Sequence, residues 1–365
     1  MIDKNIELNK SCILVTGAAG FIGCHLVLEL ISSLQEATII GLDNLNDYYD
    51  VSLKHHRLSL IQDAVDRKGG SIKWEFAKGG LQDMQLLKGL FEKHHFQVVV
   101  NLAAQAGVRY SIENPQTYIE SNLIGFCNIL ECCRHYPVRH LVYASSSSVY
   151  GMNEKIPYST EDMTDRPVSL YAATKKSNEL LAHSYSKLYG IPCTGLRFFT
   201  VYGPAGRPDM AYFSFTNKLI KGKTIQVFNF GNCRRDFTYV DDIVQALEKV
   251  MERAPIAVQR PDGQVLPPAK VYNIGGSHPE NLMDFVRILS EELISAGVLD
   301  KDYDLKAHME LVPMQPGDVV ETYADVSALE EDFGIRPKIG LREGLGRFAK
   351  WYKTFYLSDL GKSVI

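Results

Sequence analysis

The sequence predicts an α/β fold: a Rossmann-type doubly wound parallel sheet with a smaller α/β C-terminal substrate unit. Three observations carry that expectation. Over the first two-thirds of the 365 residues, short β-branched apolar runs alternate with longer helical patterns, the rhythm of parallel strands joined by crossover helices. A glycine-spaced turn, Gly17-Ala-Ala-Gly20-Phe-Ile-Gly23, joins the first run to a helix. An acidic residue, Asp43, closes the second run twenty residues after Gly23.

Strands are expected at residues 12–16, 38–42, 73–77, 98–102, 140–144 and 192–198, each followed by a polar or glycine-bearing loop. The first feeds a helix over 21–30, and a later helix runs from Tyr171 to about Leu188, stopped by Gly190 and Pro192. After Phe198 the rhythm breaks into Gly203, Pro204 and Pro208, a short helix near 213–221 and a strand near 225–228. A helix over 239–251 returns to the first unit, and the stretch with Pro255, Pro261, Gly263, Pro267 and Pro268 holds too many breakers for a regular element. From Val271 onward further helices and turns are expected. The resulting division assigns residues 1–200 with 237–253 to a dinucleotide-binding unit and 201–236 with 254–365 to the substrate unit.

Composition narrows the class. With 45% hydrophobic and 22% charged residues and a formal net charge of −4, the chain reads as an ordinary globular protein with no basic surplus for nucleic acid. Neither an apolar leader nor a membrane-length run is visible, so a cytoplasmic location without membrane association is expected. Seven cysteines, an odd number, fall mostly within apolar patterns, as reduced core residues would. No Cys-x-x-Cys or clustered histidine spacing points to a metal.

In the glycine turn, small residues allow a tight bend, close approach of backbone to a pyrophosphate, and close packing of helix on strand. The helix N-terminus adds unpaired N–H groups. Asp43 stands where a carboxylate accepts from a ribose diol and repels the 2′-phosphate of NADP, which favours NAD. Downstream, the strand at 140–144 opens into Ser145-Ser-Ser-Ser148, and Tyr171 precedes Lys175 by one helical turn. Those two side chains share a helix face. A free phenol near pKa ~10 is a poor base, but a neighbouring ammonium stabilises its anion and a serine hydroxyl can relay the proton. Each piece alone has a plain structural reading, a loop hydroxyl or a solvated lysine; together they describe alcohol oxidation.

With those residues in place, the sequence resembles the extended short-chain dehydrogenase/reductase superfamily over nearly its whole length, and within it the UDP-glucuronate 4-epimerases. The matching stretches are Asp43-Asn-Leu-Asn-Asp-Tyr-Tyr, Asn101-Leu-Ala-Ala-Gln-Ala-Gly-Val-Arg-Tyr-Ser, Gly203-Pro-Ala-Gly-Arg-Pro-Asp-Met, Arg234-Arg-Asp-Phe-Thr-Tyr-Val-Asp-Asp and Val312-Pro-Met-Gln-Pro-Gly-Asp. The resemblance implies that Gly17, Gly20, Phe21, Ile22, Gly23, Asp43 and Asn44 bind NAD, with Ala103, Ala104 and Asn122 lining its middle. It implies Tyr171 as base and Lys175 as its tuner, both also against the cofactor. Ser146 and Ser148 supply the catalytic hydroxyls. Ser147, Ser148, Thr200 and Arg207 fall on the sugar, and Arg235 and Asp318 on the uridine diphosphate. For Arg235 a surface ion pair with Asp236 is the plain alternative. The family's usual aspartate after Gly79, which accepts from the adenine amino group, is replaced by Gly80.

Related decarboxylases and dehydratases place carboxylates after the first catalytic hydroxyl, where this chain has Ser147 and Ser148. The resemblance therefore implies reversible C4 epimerisation of UDP-glucuronate by a cytoplasmic homodimer. A 4-epimerase of a neutral UDP-hexose or UDP-N-acetylhexosamine is the alternative, distinguished by Thr200, where such relatives commonly carry asparagine. A non-catalytic nucleotide-sensing scaffold would have lost Tyr171 or Lys175.

Overall fold

The computed structural model describes residues 2–314 and 320–357. Six strands form where short β-branched apolar runs were read: β1 (Cys12–Thr16), β2 (Ala37–Asp43), β3 (Ile72–Lys78), β4 (Val98–Asn101), β5 (His140–Ser146) and β6 (Cys193–Phe198). They lie in one parallel sheet with a seventh strand, Ala269–Ile274, in the order 269–274, β6, β5, β4, β1, β2, β3. The chain runs outward from β1 to β3, then restarts on the other side of β1 with β4. That reversal opens a crevice beyond the carboxyl ends of β1 and β4.

The seventh strand corrects the sequence division. Residues 269–274 were assigned to the substrate unit, yet they pair with β6 from Ala269 opposite Cys193 to Ile274 opposite Phe198. Their partner lies far back in the chain, so pairing of this kind leaves no local mark beyond the strand-forming run Val271-Tyr272-Asn273-Ile274. Within the breaker-rich loop, a two-residue hairpin pairs Val258–Gln259 with Val265–Leu266.

Strand pleat splits the core into two layers. Ile13, Val15, Ile39, Val98, Val100 and Val142 face one layer, which includes α1 (Phe21–Ser33) and the helix Val240–Met251. Leu14, Ile40, Leu42, Val99, Leu141 and Cys193 face the other, covered by α3 (Met84–His94) and the helix Gly125–His135. Between β2 and β3 runs α2 (Val51–Arg67). All seven cysteines are free thiols, five of them buried.

The smaller unit centres on the strand Arg234–Tyr239, which pairs with Thr200–Tyr202, Pro279–Asn281 and Glu321–Thr322. Only Phe199 separates Thr200–Tyr202 from β6, so one continuous segment belongs to both sheets and holds them in register across the crevice. Helices Leu282–Ser295 and Leu341–Tyr352 pack behind it.

Contact between β1 and α1 is tight enough that a Cβ added to Gly23 would lie 2.1 Å from the Gly17 carbonyl oxygen. Gly23→Ala should therefore destabilise the protein by about 1–3 kcal/mol through overpacking. Gly89→Ala, in α3 with open space around it, should be neutral or stabilising by up to ~1 kcal/mol. Urea unfolding of both variants checks the pair, and equal stabilities would refute the close-packing account.

Candidate active site

A cavity of about 670 Å³ fills the crevice. Its wall follows the strand ends: Gly17, Gly20, Phe21, Ile22 and Gly23 after β1, Asp43 and Asn44 after β2, and Gly79 to Gln82 after β3. Ala103 and Ala104 follow β4, Ser145 to Ser148 close β5, and Phe199 and Thr200 follow β6. Tyr171 and Lys175 enter from the helix Leu170–Tyr189, and Arg207 from the loop beyond Gly203. The structure thus gathers most of the expected site residues around one space.

The glycine turn is built for an anion. Gly17 has φ +71°, and a Cβ there would meet the Ala103 backbone nitrogen at 2.9 Å, so only glycine fits between β1 and the chain after β4. Its N–H donates to Leu42 O at 2.7 Å, tying the turn to β2. Gly20 caps α1 with no side-chain hydrogen bond, and no acidic residue occupies the first turn. The N–H groups of that turn are left to a ligand, with the helix dipole behind them. This cradle, with an acidic side chain twenty residues on, fits the diphosphate and ribose of NAD.

At β2 the structure adds a residue the sequence reading passed over. Asp43 Oδ1 accepts from Leu45 N at 2.8 Å and lies 3.8 Å from the Lys54 ammonium. Lys54 lines the same cavity and donates to Asn46 Oδ1 at 2.7 Å. Burial pulls its pKa down, and Asp43 pulls it back up. The Asp43 charge is thus partly neutralised by Lys54.

Arg57, one turn further along α2, is fully buried and has no carboxylate partner among the described residues. Its guanidinium donates to Ala19 O (3.0 Å), Ala205 O (2.9 Å), Gly206 O (2.9 Å) and the Tyr49 hydroxyl (2.6 Å). It therefore joins the glycine turn to the loop that carries Arg207. Leu53, Arg57 and Ile61 share one buried face of α2 at i, i+4, i+8, and a cation on an apolar stripe is the signal that could have marked it.

The helix Leu170–Tyr189 is capped by Ser169, whose hydroxyl accepts from Ala172 N at 3.1 Å. Tyr171 and Lys175 follow on its cavity side. Enclosure pushes the Tyr171 hydroxyl above its ordinary value, while the Ser146 hydrogen bond and the Arg207 charge pull the other way. Lys175 is buried and donates to Ala144 O at 2.8 Å; burial lowers its pKa to about 8. Lys175 places one of its three N–H donors on β5, and burial is the largest influence on both groups. Ser146 Oγ donates to Ser148 Oγ at 3.1 Å and accepts from Ser148 N at 3.2 Å, so the two hydroxyls are linked on the cavity wall that Tyr171 also lines. Ser145 turns away into the core, donating to Glu179, which also takes two hydrogen bonds from buried Arg197.

Two expected residues stand elsewhere. Asn122 is buried behind the wall, accepting from Gln105 N at 2.8 Å and donating to Gln105 O and Thr174 Oγ1. It shapes the cavity without lining it, because its amide is consumed in holding the 105 loop to the helix Leu170–Tyr189. Arg235 lies outside the cavity and donates to the carbonyls of Arg234 and Val320. Nor does it pair with Asp236, whose buried carboxylate accepts from Gly276 N, Ser277 N and Ala324 N. Asp318 falls outside the described residues. Arg207 lines the cavity with its charge engaged by Asp209, Nε to Oδ1 at 3.0 Å. Among the described residues no cluster of three or more histidine, cysteine or acidic side chains is placed to hold a metal ion.

A model of the NAD dependent epimerase/dehydratase family matches residues 13–275. The chain is 45% identical over 358 residues to UDP-glucuronate 4-epimerase 4 of Arabidopsis thaliana, covering 96% of this chain and 77% of that protein. It is 50% identical over 351 residues to protein CapI of Staphylococcus aureus, covering 94% and 99%. Among solved structures it resembles UDP-glucuronic acid 4-epimerase from Bacillus cereus in complex with UDP-glucuronic acid and NAD. That match has 30% identity and a TM-score of 0.78 and covers 94% of this chain and all of that one.

The Asp43–Lys54 pair makes a prediction about cofactor choice. Asp43→Ser should narrow the preference for NAD over NADP by about tenfold or more, because it removes a carboxylate and frees a buried ammonium for the 2′-phosphate. Adding Lys54→Ala should cancel most of that gain. Equilibrium binding of both nucleotides to the two variants decides it; a gain that survives loss of Lys54 would show that the ammonium plays no part.

Proposed function

The chain belongs to the NAD dependent epimerase/dehydratase family, and from that premise we propose that it interconverts UDP-glucuronate and UDP-galacturonate by reversible epimerisation at C4. The observation that carries this reading is the composition of the cavity at the end of β5. Tyr171 and Ser146 line the same cavity, and the next positions are the hydroxyls of Ser147 and Ser148, with no carboxylate among them.

In this reading Gly17, Gly20, Phe21, Ile22, Gly23, Asp43, Asn44, Ala103 and Ala104 hold NAD, which supplies a reversible acceptor for the C4 hydride. Tyr171 holds and moves one proton, taking it from the C4 hydroxyl and returning it to the C4 oxygen. Its raised pKa implies that nearby positive charge is needed to form the phenolate, and Lys175 and the cofactor's pyridinium are the two sources. Ser146 and Ser148 orient the C4 oxygen through their hydroxyl chain. Without an acid or base at 147 and 148, the 4-keto sugar has no help toward elimination, and it leaves by accepting hydride on its other face.

Oxidation at C4 turns a uronate into a β-keto acid, which loses carbon dioxide when its carboxylate bond aligns with the carbonyl π system. An epimerase must hold the carboxylate out of that alignment. Ser147, Ser148, Thr200 and Arg207 are the groups proposed for that task. One observation favours the neutral UDP-hexose alternative: Arg207 is already neutralised by Asp209. The uronate reading therefore gives the three hydroxyls most of the carboxylate contact, with Arg207 contributing once Asp209 turns aside. The UDP-glucose 4-epimerase of Thermotoga maritima, solved with UDP-glucose, is also similar, at 28% identity and a TM-score of 0.75 over 94% of this chain and 99% of that one.

Exposed Ile124, Leu180 and Leu188 on the helices around 117–132 and 172–188 support a homodimer, for which sedimentation at micromolar concentration should give twice the chain mass; a monomer would refute it. A cytoplasmic role in polysaccharide precursor supply completes the proposal, since no helix among the described residues is long and apolar enough to cross a membrane. Growth of a disrupted strain with normal uronate-containing polysaccharide would refute that role.

Tyr171→Phe should keep the fold and bound NAD and lower epimerisation by about 10²–10⁴-fold or more; activity within threefold of the parent would exclude Tyr171 as the base. Thr200→Val and Arg207→Ala should each slow UDP-glucuronate turnover at least tenfold with little change in NAD affinity, and release UDP-4-keto-pentose. If both variants epimerise UDP-glucuronate like the parent, a neutral sugar becomes the better substrate.

A further inference from the structure

The cavity wall orders the dinucleotide from end to end. Tyr171 and Lys175 mark one limit, the bare N-terminus of α1 lies at the centre, Asp43 follows at β2, and Gly79 to Gln82 close the far limit after β3. With the reactive ring at Tyr171, the phosphates on α1 and the second ribose at Asp43, the purine falls at β3. That end is apolar for the most part, through Leu42, Leu81, Leu102 and Gly79. Gln82 breaks the pattern. Its carboxamide lies directly over Gly80: a Cβ added there would meet Oε1 at 2.3 Å and Nε2 at 2.6 Å. The amide thus occupies the place where a side chain on residue 80 would begin, and it borders the cavity. The Gln82 backbone is fixed, since its carbonyl accepts from Met84 N at 3.1 Å and Asp83 caps α3 through Leu86 N at 2.9 Å. No hydrogen bond engages the carboxamide among the described residues, so both its donor and its acceptor are available to a ligand.

We propose that the Gln82 carboxamide recognises the substituent at C6 of the cofactor's purine, and that it serves a 6-oxo as well as a 6-amino base. The chemistry follows from the amide itself. Oε1 accepts from an exocyclic amine, and a half-turn of the terminal torsion presents Nε2 to an exocyclic oxygen at little cost. A carboxylate in this position accepts only and would reject the oxygen. The absence of a side chain at residue 80 is what gives the amide room to turn. This inference rests on the NAD reading of the cavity and adds to it a base specificity belonging to this chain.

The test measures binding, not turnover, on the full chain freed of nucleotide. By calorimetry, the parent should bind NAD and nicotinamide hypoxanthine dinucleotide within about fivefold of each other. Gln82→Ala should weaken both by roughly five- to thirtyfold, the range expected for hydrogen bonds lost from a partly enclosed site. Gln82→Glu should keep NAD within about fivefold of the parent and weaken the hypoxanthine analogue more than twentyfold. Because Gln82 is exposed, none of these variants threatens the fold, and unchanged melting of the apoprotein checks that. If Gln82→Ala binds both dinucleotides as the parent does, or if Gln82→Glu fails to separate them, the inference is overturned while the NAD reading stands. If the parent binds neither dinucleotide, both fall together.

Discussion

Everything in the site depends on how closely α1 approaches the end of β1. The Gly17 carbonyl occupies space that any side chain at 23 would claim, and the Gly17 backbone presses equally on Ala103. Three chain segments, the β1 turn, the start of α1 and the loop after β4, are thereby locked together with backbone rather than side chains at their junction. The consequence is chemical. A helix whose first N–H groups are uncapped and unshielded points into the crevice at the one place where the sheet order reverses. The positions of Asp43 on one side and of Lys175 against Ala144 on the other then follow from sheet register, Gly41 opposite Val15 and Asn101 opposite Tyr143.

Buried cations hold the movable parts to that frame. Arg57 bonds to the carbonyls of Ala19, Ala205 and Gly206, fixing the glycine turn to the Ala205–Gly206 loop by one guanidinium. A planar fork with several donors can do this, and lysine cannot. A buried charge met only by carbonyl dipoles and a phenol is costly, and its positive field lies beside the region where an anionic diphosphate belongs. Lys175 is similar, with one carbonyl for a partner and a pKa brought down to about 8. Burial likewise holds Tyr171 above its ordinary pKa, with Ser146 and Arg207 pulling the other way.

Much of this was legible in the sequence because it rests on local signals. The six strands are short β-branched apolar runs, the glycine turn joins strand to helix, and the Tyr171–Lys175 spacing needs only helical geometry. What escaped depends on distant partners. Ala269–Ile274 becomes a strand of the main sheet because β6 offers an open edge. Asn122 was expected in the cavity, but the 105 loop and Thr174 consume its amide. Arg235 was expected on a diphosphate, and its hydrogen bonds go to the carbonyls of Arg234 and Val320. Lys54 and Arg57 lie on a helix face whose burial is plain only once α1 and the Ala205 loop pack over it. Charge in a sequence is read as solvated by default, and these two residues show where that default fails.

The central claim is that C4 of the sugar is transiently oxidised and receives its own hydride back within one site. UDP-glucuronate carrying deuterium at C4 tests it most directly, with the product examined by NMR after conversion in ordinary water. The account predicts UDP-galacturonate that retains the deuterium at C4, and no solvent deuterium entering C4 when the reaction is run in heavy water. Loss of the label to solvent, or entry of solvent deuterium at C4, would mean that the centre is inverted by deprotonation and not by hydride transfer, and would contradict the account.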